Sequence, residues 1–364
     1  MQRLRDSFTF RKSTTLKTAH EEFLKSLPKA ELHLHIEGTL TPAQKCAIAR
    51  RNGIKLPYES EADILAAQNY IGKDAAEYLK NFLAFYNEGM KILRTAQDFR
   101  DIALDHLRVC GAENVRYAEI SFDPQPHTDR GVAFGAIIEG LRAGIDEAKA
   151  LGVEAQLIMC INRDMPVDSA FRMLEDSKPY RDRIIGFGLD SLEEGNPPTK
   201  FLDLYAKARS EGYRLTAHCD VDQTDAVAHI RDCLDLLKVE RIDHGINCVE
   251  DERLVDQLLE RGVCLTACPT WRPSDTMPRR MDRIRVMHER KLKVTINSDD
   301  PGLFASGTLG AMLPAVAAEG RFSEEDLAQL MINAFEGAWL PRERRDAYVE
   351  EVRDYLAAWK RARI

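Results

Sequence analysis

The chain of 364 residues contains no run approaching the ~18–20 apolar residues needed to cross a bilayer, which excludes a helical membrane protein. Its N-terminus lacks an apolar core followed by a small-residue cleavage site, so no secretory signal is expected and the cytoplasm is the default compartment. Cysteine occurs eight times but never as C-x-x-C, which removes zinc ribbons and thioredoxin-like chemistry. Cys264 and Cys268 share one strand face, Cys160 and Cys248 sit near strand ends, and all are read as buried free thiols. Basic residues are in deficit, 51 Lys+Arg against 59 Asp+Glu, for a net charge of -8. A polyanion is therefore not the main partner, because nucleic-acid binders carry a basic face. Internal repeats and low-complexity segments are also missing, so the chain is not an array of stacked repeats.

What is present is an ordinary globular balance, 44% hydrophobic and 30% charged, at a length that an α/β barrel reaches as one unit. Residues 1–26 read as an N-terminal extension, basic over its first 20 through Arg3, Arg5, Arg11, Lys12 and Lys17; residues 27–364 read as one domain. Short apolar or β-branched runs at 30–36, 115–122, 153–161, 184–189, 214–219, 241–245, 263–268 and 293–298 alternate with amphipathic stretches. Such alternation predicts a (β/α)8 TIM barrel, with helices over Val132–Leu151, Ala226–Leu237 and Asp251–Arg261. The segment Thr41–Asn114 is too long for one crossover and predicts a helical insertion after strand 1, with Tyr70–Asn87 as lid material. Ser323–Phe335 and Pro341–Ala362 predict closing C-terminal helices.

The chemistry concentrates where those strands end. His33 and His35 alternate on one strand face, and Thr216-Ala-His218, Arg241-Ile-Asp-His244 and Thr295-Ile-Asn-Ser-Asp-Asp300 each close an apolar run on His or Asp. Active sites of this fold lie at the C-terminal ends of strands. Imidazoles plus the carboxylate of Asp299 make a donor set suited to one zinc ion, with iron or manganese as substitutes. Zinc lowers the pKa of a bound water from ~15.7 towards ~7, which predicts a hydrolytic metalloenzyme. His20, His106, His127, His229 and His288 lack a strand-end setting and read as surface or packing residues.

Pro28-Lys-Ala-Glu-Leu-His-Leu-His-Ile-Glu-Gly-Thr39, followed by Asp243-His-Gly245 and Ser298-Asp-Asp-Pro301, resembles the ordered motifs of the adenosine/adenine deaminase family. Gly188-Leu-Asp-Ser191, Glu194-Gly-Asn-Pro-Pro198 and Phe122-Asp-Pro-Gln125 are similar to its adenine deaminase branch. The resemblance runs from about Leu27 to the C-terminus. It implies zinc-dependent release of ammonia from a 6-aminopurine base, with His33, His35, His218 and Asp299 holding the metal. It further implies that His244 orients and activates water, that Asp299 takes the water's proton, and that Asp300 accepts a hydrogen bond from the ring. Gly188 would touch the base edge through its backbone, and Glu37, where nucleoside-specific relatives carry Asp, would leave less room for sugar. His35-Ile-Glu37 mimics half of the H-x-E signature of cytidine-type deaminases, but no P-C-x-x-C follows, so that fold is rejected.

Two departures bear on the substrate. The family's third motif carries a Glu that protonates the ring nitrogen, and Val221 stands at that position in His218-Cys219-Asp220-Val221-Asp222-Gln223. General acid catalysis is worth ~10²–10⁴-fold, so a donor is needed. Asp222, or Asp220, is the expected replacement through a reshaped loop. The alternatives are a different amino-heterocycle (an N-substituted adenine, a pyrimidine, a pterin or a triazine) and a metal-binding relative without turnover. The second departure is Trp271-Arg272 after strand 7, where the family places small polar residues; a pocket-facing Trp or Arg would suit an acidic or extended substituent. The expected partner is thus a small heterocycle, not nucleic acid or membrane, and the sequence leaves homo-oligomerisation open.

Overall fold

Eight buried segments rich in Val, Ile, Leu and Ala pair edge to edge in a computed structural model that describes residues 20–70, 78–219, 225–270 and 276–363. The strands are β1 (Lys29–His35), β2 (Val115–Phe122), β3 (Glu154–Asn162), β4 (Ile184–Asp190), β5 (Arg214–Cys219), β6 (Arg241–His244), β7 (Cys264–Ala267) and β8 (Lys293–Ile296). All neighbours are parallel and follow chain order, β1 to β8. Parallel strands joined by helical crossovers are covered on both faces, which is why β1 is buried at every position.

The circle closes by a short seam rather than a full ladder. Asp299 N–H donates to the His33 carbonyl at 3.2 Å, and His35 N–H donates to the Asp299 carbonyl at 2.9 Å. Leu32 N–H reaches Asn297 Oδ1 at 2.8 Å, and Ser298 N–H reaches Glu31 Oε1 at 2.9 Å. A register shift between Glu31 and Leu34 against β2 marks a bulge in β1 beside this seam. Bulges re-aim side chains, and this one immediately flanks His33.

The insertion after β1 forms the helices Pro42–Arg51, Glu61–Tyr70, Tyr78–Met90 and Ala96–Ala112. Two begin with capping boxes, Thr41 with Gln44 and Thr95 with Asp98, which satisfy otherwise orphaned N–H groups. Tyr78–Met90 packs through an aromatic cluster separate from the barrel core: Phe82 stacks on Phe304 at 5.1 Å and 7°. The closing helices are Glu324–Gly337 and Arg342–Arg361. Of the N-terminal segment, residues 20–26 are helical, and Phe23 is buried against Tyr355 and Trp359, 5.4 Å from each ring; residues 1–19 lie outside the described part. All eight cysteines are free thiols, seven of them buried. No described helix is long and apolar enough to cross a membrane.

Candidate active site

Seven of the eight strand ends contribute to one mouth of the barrel. His33 and His35 close β1, Asp123 follows β2, Asn162 ends β3 and Asp190 ends β4. His218 lies in the last turn of the pleat of β5, His244 ends β6, and Asp299 and Asp300 follow β8. His244 and Asp299 adopt left-handed backbone conformations, with φ of +62° and +63°. Non-glycine residues there cost about 1–2 kcal/mol each, a strain that persists where surrounding structure fixes it and is concentrated at functional sites.

The imidazoles are aimed by what touches their Nδ1 atoms. His33 Nδ1 lies 3.2 Å from the Thr266 carbonyl and 3.1 Å from Thr266 Oγ1. His35 Nδ1 lies 3.5 Å from Asp190 Oδ2, and His218 Nδ1 lies 3.5 Å from Asp243 Oδ2. An oxygen within 3.5 Å of each Nδ1 favours the proton on that atom, and this tautomer turns the Nε2 lone pair inward. Those lone pairs meet: His35 Nε2 is 3.1 Å from His218 Nε2, and Asp299 Oδ1 is 3.2 Å from His33 Nε2 and 3.6 Å from His35 Nε2. Lone pairs and an anionic oxygen at such distances repel unless a cation sits among them. Tetrahedral zinc with bonds of about 2.0–2.1 Å needs ligand–ligand edges of about 3.3–3.4 Å, which the observed distances bracket. His244 joins the group, its ring 4.6 Å from His33 and 5.2 Å from His218, and its coordinating atom lies within 4.8 Å of those of His33, His218 and Asp299.

Electrostatics agree with this need for positive charge. Burial would raise the Asp299 carboxyl, yet His33, His244 and His35 hold it well below its ordinary range. Burial would lower His33, but Asp299 and Asp243 raise it. Burial and the neighbouring His33 keep His35, His218 and His244 below the usual imidazole value, and so neutral. Beneath them Asp243 accepts from Thr216 Oγ1 at 2.7 Å and Thr266 Oγ1 at 2.8 Å.

A pocket opens above this centre. Leu79, Phe82, Leu83, Tyr86 and Phe304 form its apolar wall, whereas Asp123, Asn162, Asp190, Asp299 and Asp300 supply polar groups. Asp300 sits against Gly38, where a Cβ would occupy the place of its carboxylate. No Lys or Arg belongs to the lining among the described residues.

Two residues expected at the ligand lie elsewhere. Glu37 is drawn behind the pocket, where its carboxylate accepts from Asp123 N–H at 3.2 Å and Tyr86 OH at 3.4 Å and pairs with His127 Nε2 at 3.0 Å. Burial pushes its pKa up to about 7. His127, read as a packing residue, is a buried relay, since Arg130 Nη2 donates to its Nδ1 at 2.8 Å and fixes Nε2–H towards Glu37. Gly188 is outside the lining: it packs within the barrel, where a Cβ would meet Cys160 Sγ at 2.6 Å. Asp220, Val221, Asp222, Trp271 and Arg272 fall outside the described residues. Asp123, Asn162, Asp190, Tyr86 and Asp243 were not anticipated as site residues, although the strand-end rule applied to β2, β3 and β4 points to the first three.

Known proteins resemble this chain along most of its length. A family model of adenosine deaminases matches residues 28–355. An uncharacterized deaminase from Schizosaccharomyces pombe is 41% identical over 340 residues, spanning 93% of this chain and 98% of that protein. An adenine deaminase from Rhodospirillum rubrum is 43% identical over 329 residues, 89% of this chain and 95% of that protein. The crystal structure of an adenine deaminase from Arthrobacter aurescens matches with TM-score 0.84 at 37% identity, covering 91% of this chain and 99% of the other. That of an amidohydrolase from Burkhoderia ambifaria, solved with bound Zn, gives 0.81 at 28% identity, over 93% and 95%.

Proposed function

The chain belongs to the adenosine deaminase family and is a metal-dependent hydrolytic deaminase, and from that premise we propose that it converts a sugar-free 6-aminopurine, adenine or a near relative, to the 6-oxo base and ammonia. The observation that carries this reading is the convergence of His33, His35 and His218 Nε2 with Asp299 Oδ1, with an oxygen atom within 3.5 Å of each Nδ1. One zinc ion is the proposed occupant, with Fe²⁺ or Mn²⁺ compatible with the same donors. Bound zinc supplies Lewis-acid chemistry that acidifies water at neutral pH.

The chain's own groups divide the remaining work. His244, neutral through burial, orients the attacking water and donates to the oxygen that becomes negative. Asp299 takes the water's proton on its carboxylate. Asp300, fixed beside Gly38, accepts a hydrogen bond from the purine ring. Asp222 is the proposed donor to the ring nitrogen, in place of the glutamate that Val221 displaces. The apolar wall of Leu79, Phe82 and Phe304 covers the base and excludes water. The expected setting is the cytoplasm.

Purified protein loaded with zinc and assayed for ammonia release from adenine, adenosine, cytosine and a pterin, and for methylamine release from N6-methyladenine, tests the reading. Turnover of adenine with about one zinc per chain is the expected result. Full zinc occupancy with no ammonia from any 6-aminopurine would overturn it.

A further inference from the structure

Arg163 is among the largest side chains buried completely in the molecule, and it stands outside the pocket lining. It follows Asn162 at the end of β3, and its backbone is pinned on both sides. Its N–H donates to the Asp190 carbonyl at 3.1 Å, and Lys200 Nζ donates to its carbonyl at 2.9 Å. From there the guanidinium reaches across two strands. Nε donates to the Asn196 carbonyl at 2.9 Å, in the loop after β4, and Nη1 donates to the His218 carbonyl at 3.0 Å, on β5. Nη1 also lies 3.6 Å from Glu193 Oε2, and the other oxygen of that carboxylate, Oε1, meets His229 Nδ1 at 2.5 Å. Glu193 and His229 are buried too. A buried guanidinium is costly to desolvate unless charge-assisted bonds hold it, and here one of those bonds goes to the backbone of a proposed metal ligand.

We propose that Arg163, with Glu193 and His229, is a buried clamp that fixes His218 for the metal and holds both flanks of the segment carrying the proposed proton donor. The inference rests on the deaminase reading above and adds three positioning residues to it. His218 brings its Nε2 to 3.1 Å from His35 Nε2. The direction of that ring follows from the backbone that carries it, so a donor held on its carbonyl sets how the chain leaves β5. Asp222 lies between β5 and the helix Ala226–Asp232. The clamp touches this stretch at both ends, through the His218 carbonyl before it and the His229 ring after it. One buried cation thus ties together the ends of β3, β4 and β5. None of the three residues lines the pocket, so their effect on the reaction is geometric. A misplacement of about 1 Å at such a centre costs about 10²-fold.

Zinc affinity by chelator competition, kcat and KM for adenine at saturating zinc, and Tm are compared for wild type, Arg163→Ala, Arg163→Met and Glu193→Gln. Arg163→Ala should weaken zinc about 10–100-fold and lower kcat about 100-fold, while KM stays within about threefold. Millimolar methylguanidinium, which fits the vacated space, should restore zinc affinity and kcat together. Where Arg163→Ala fails to fold, Arg163→Met, which keeps the packing of the stem, carries the same comparison. Glu193→Gln loosens the far flank alone, so kcat should drop about tenfold with zinc affinity held. A merely structural role would lower Tm and leave zinc affinity and kcat of the folded, zinc-loaded protein as in wild type; that pattern overturns the clamp. An unchanged kcat in Glu193→Gln likewise overturns its hold on the donor segment. Adenine turnover with unaffected variants sinks the clamp alone, whereas a wild type that turns over no aminopurine removes the deaminase reading and the clamp with it.

Discussion

Replacing Asp243 with asparagine tests whether the imidazoles are tuned from below. Its carboxylate is 3% exposed and accepts from Thr216 Oγ1 and Thr266 Oγ1. It lies 3.5 Å from His218 Nδ1 and 4.0 Å from His33 Nδ1, so one negative charge supports two metal-facing rings. Burial works against ionisation, yet His33 and Arg241 hold its pKa below the ordinary range, so the charge is present at neutral pH. Asn keeps the volume but removes that charge and turns one acceptor into a donor facing a threonine hydroxyl. Loss of such outer carboxylates costs about 10–100-fold in metal affinity, or about 1.4–2.7 kcal/mol. Arg241 retains its ion pair with Glu119 and its stacking 4.0 Å over Trp339, so the barrel floor should stay folded. Titration of zinc against a fluorescent chelator reads the affinity directly, and circular dichroism checks the fold. A folded Asp243→Asn protein that holds zinc as tightly as wild type refutes the tuning.

Other perturbations read different parts of the molecule. Lys29 Nζ donates to the carbonyls of Leu27 at 2.8 Å, Glu113 at 2.7 Å and Lys25 at 3.2 Å. Lys29→Met should therefore lower stability in urea by about 2–3 kcal/mol, and an unshifted midpoint would count against that role. Gly38→Ala places a methyl group where the Asp300 carboxylate sits; kcat/KM should fall about tenfold or more with little change in Tm, and an unaltered kcat/KM would show that Asp300 need not hold this position. Phe82→Ala removes the stacking on Phe304, which is worth about 0.5–1.5 kcal/mol beyond burial. The substrate's KM should rise while kcat holds, unless the helix Tyr78–Met90 does not cover the bound base. Dialysis against a chelator should abolish turnover and lower Tm, and zinc should restore both; activity that survives complete metal removal would contradict the centre.

The strands were legible because parallel barrel strands are buried on both faces and read as short apolar runs; each predicted end falls within two residues of the observed one. The clustering of the strand-end histidines was legible for a related reason, since a polar residue closing an apolar run is conspicuous. Asp123, Asn162 and Asp190 close their strands in the same way, but a single Asp or Asn before a turn is so common that the signal merges with turn chemistry. Glu37 shows a different limit. Its motif placed it next to the metal ligands, but the chain turns after Ile36 and the His127 and Asp123 donors pull the carboxylate behind the wall. That contact joins residues 90 positions apart, and no local pattern encodes it. Thr266 and Asp243 were invisible as tuning groups because their effect depends on which imidazole atom they face.

The seam between Asn297–Asp299 and β1 gives the order of synthesis a chemical meaning. Leu32 emerges from the ribosome 265 residues ahead of the Asn297 side chain that receives its N–H. Until that late stretch arrives, the first histidine pair has neither its anionic partner nor the backbone clasp that fixes its direction. A stalled or clipped product ending before residue 297 thus carries most of the imidazoles but no finished cradle. With the ligand set proposed above, metal capture waits for the last strand to dock, and occupancy would report whether the nascent protein has completed its ring.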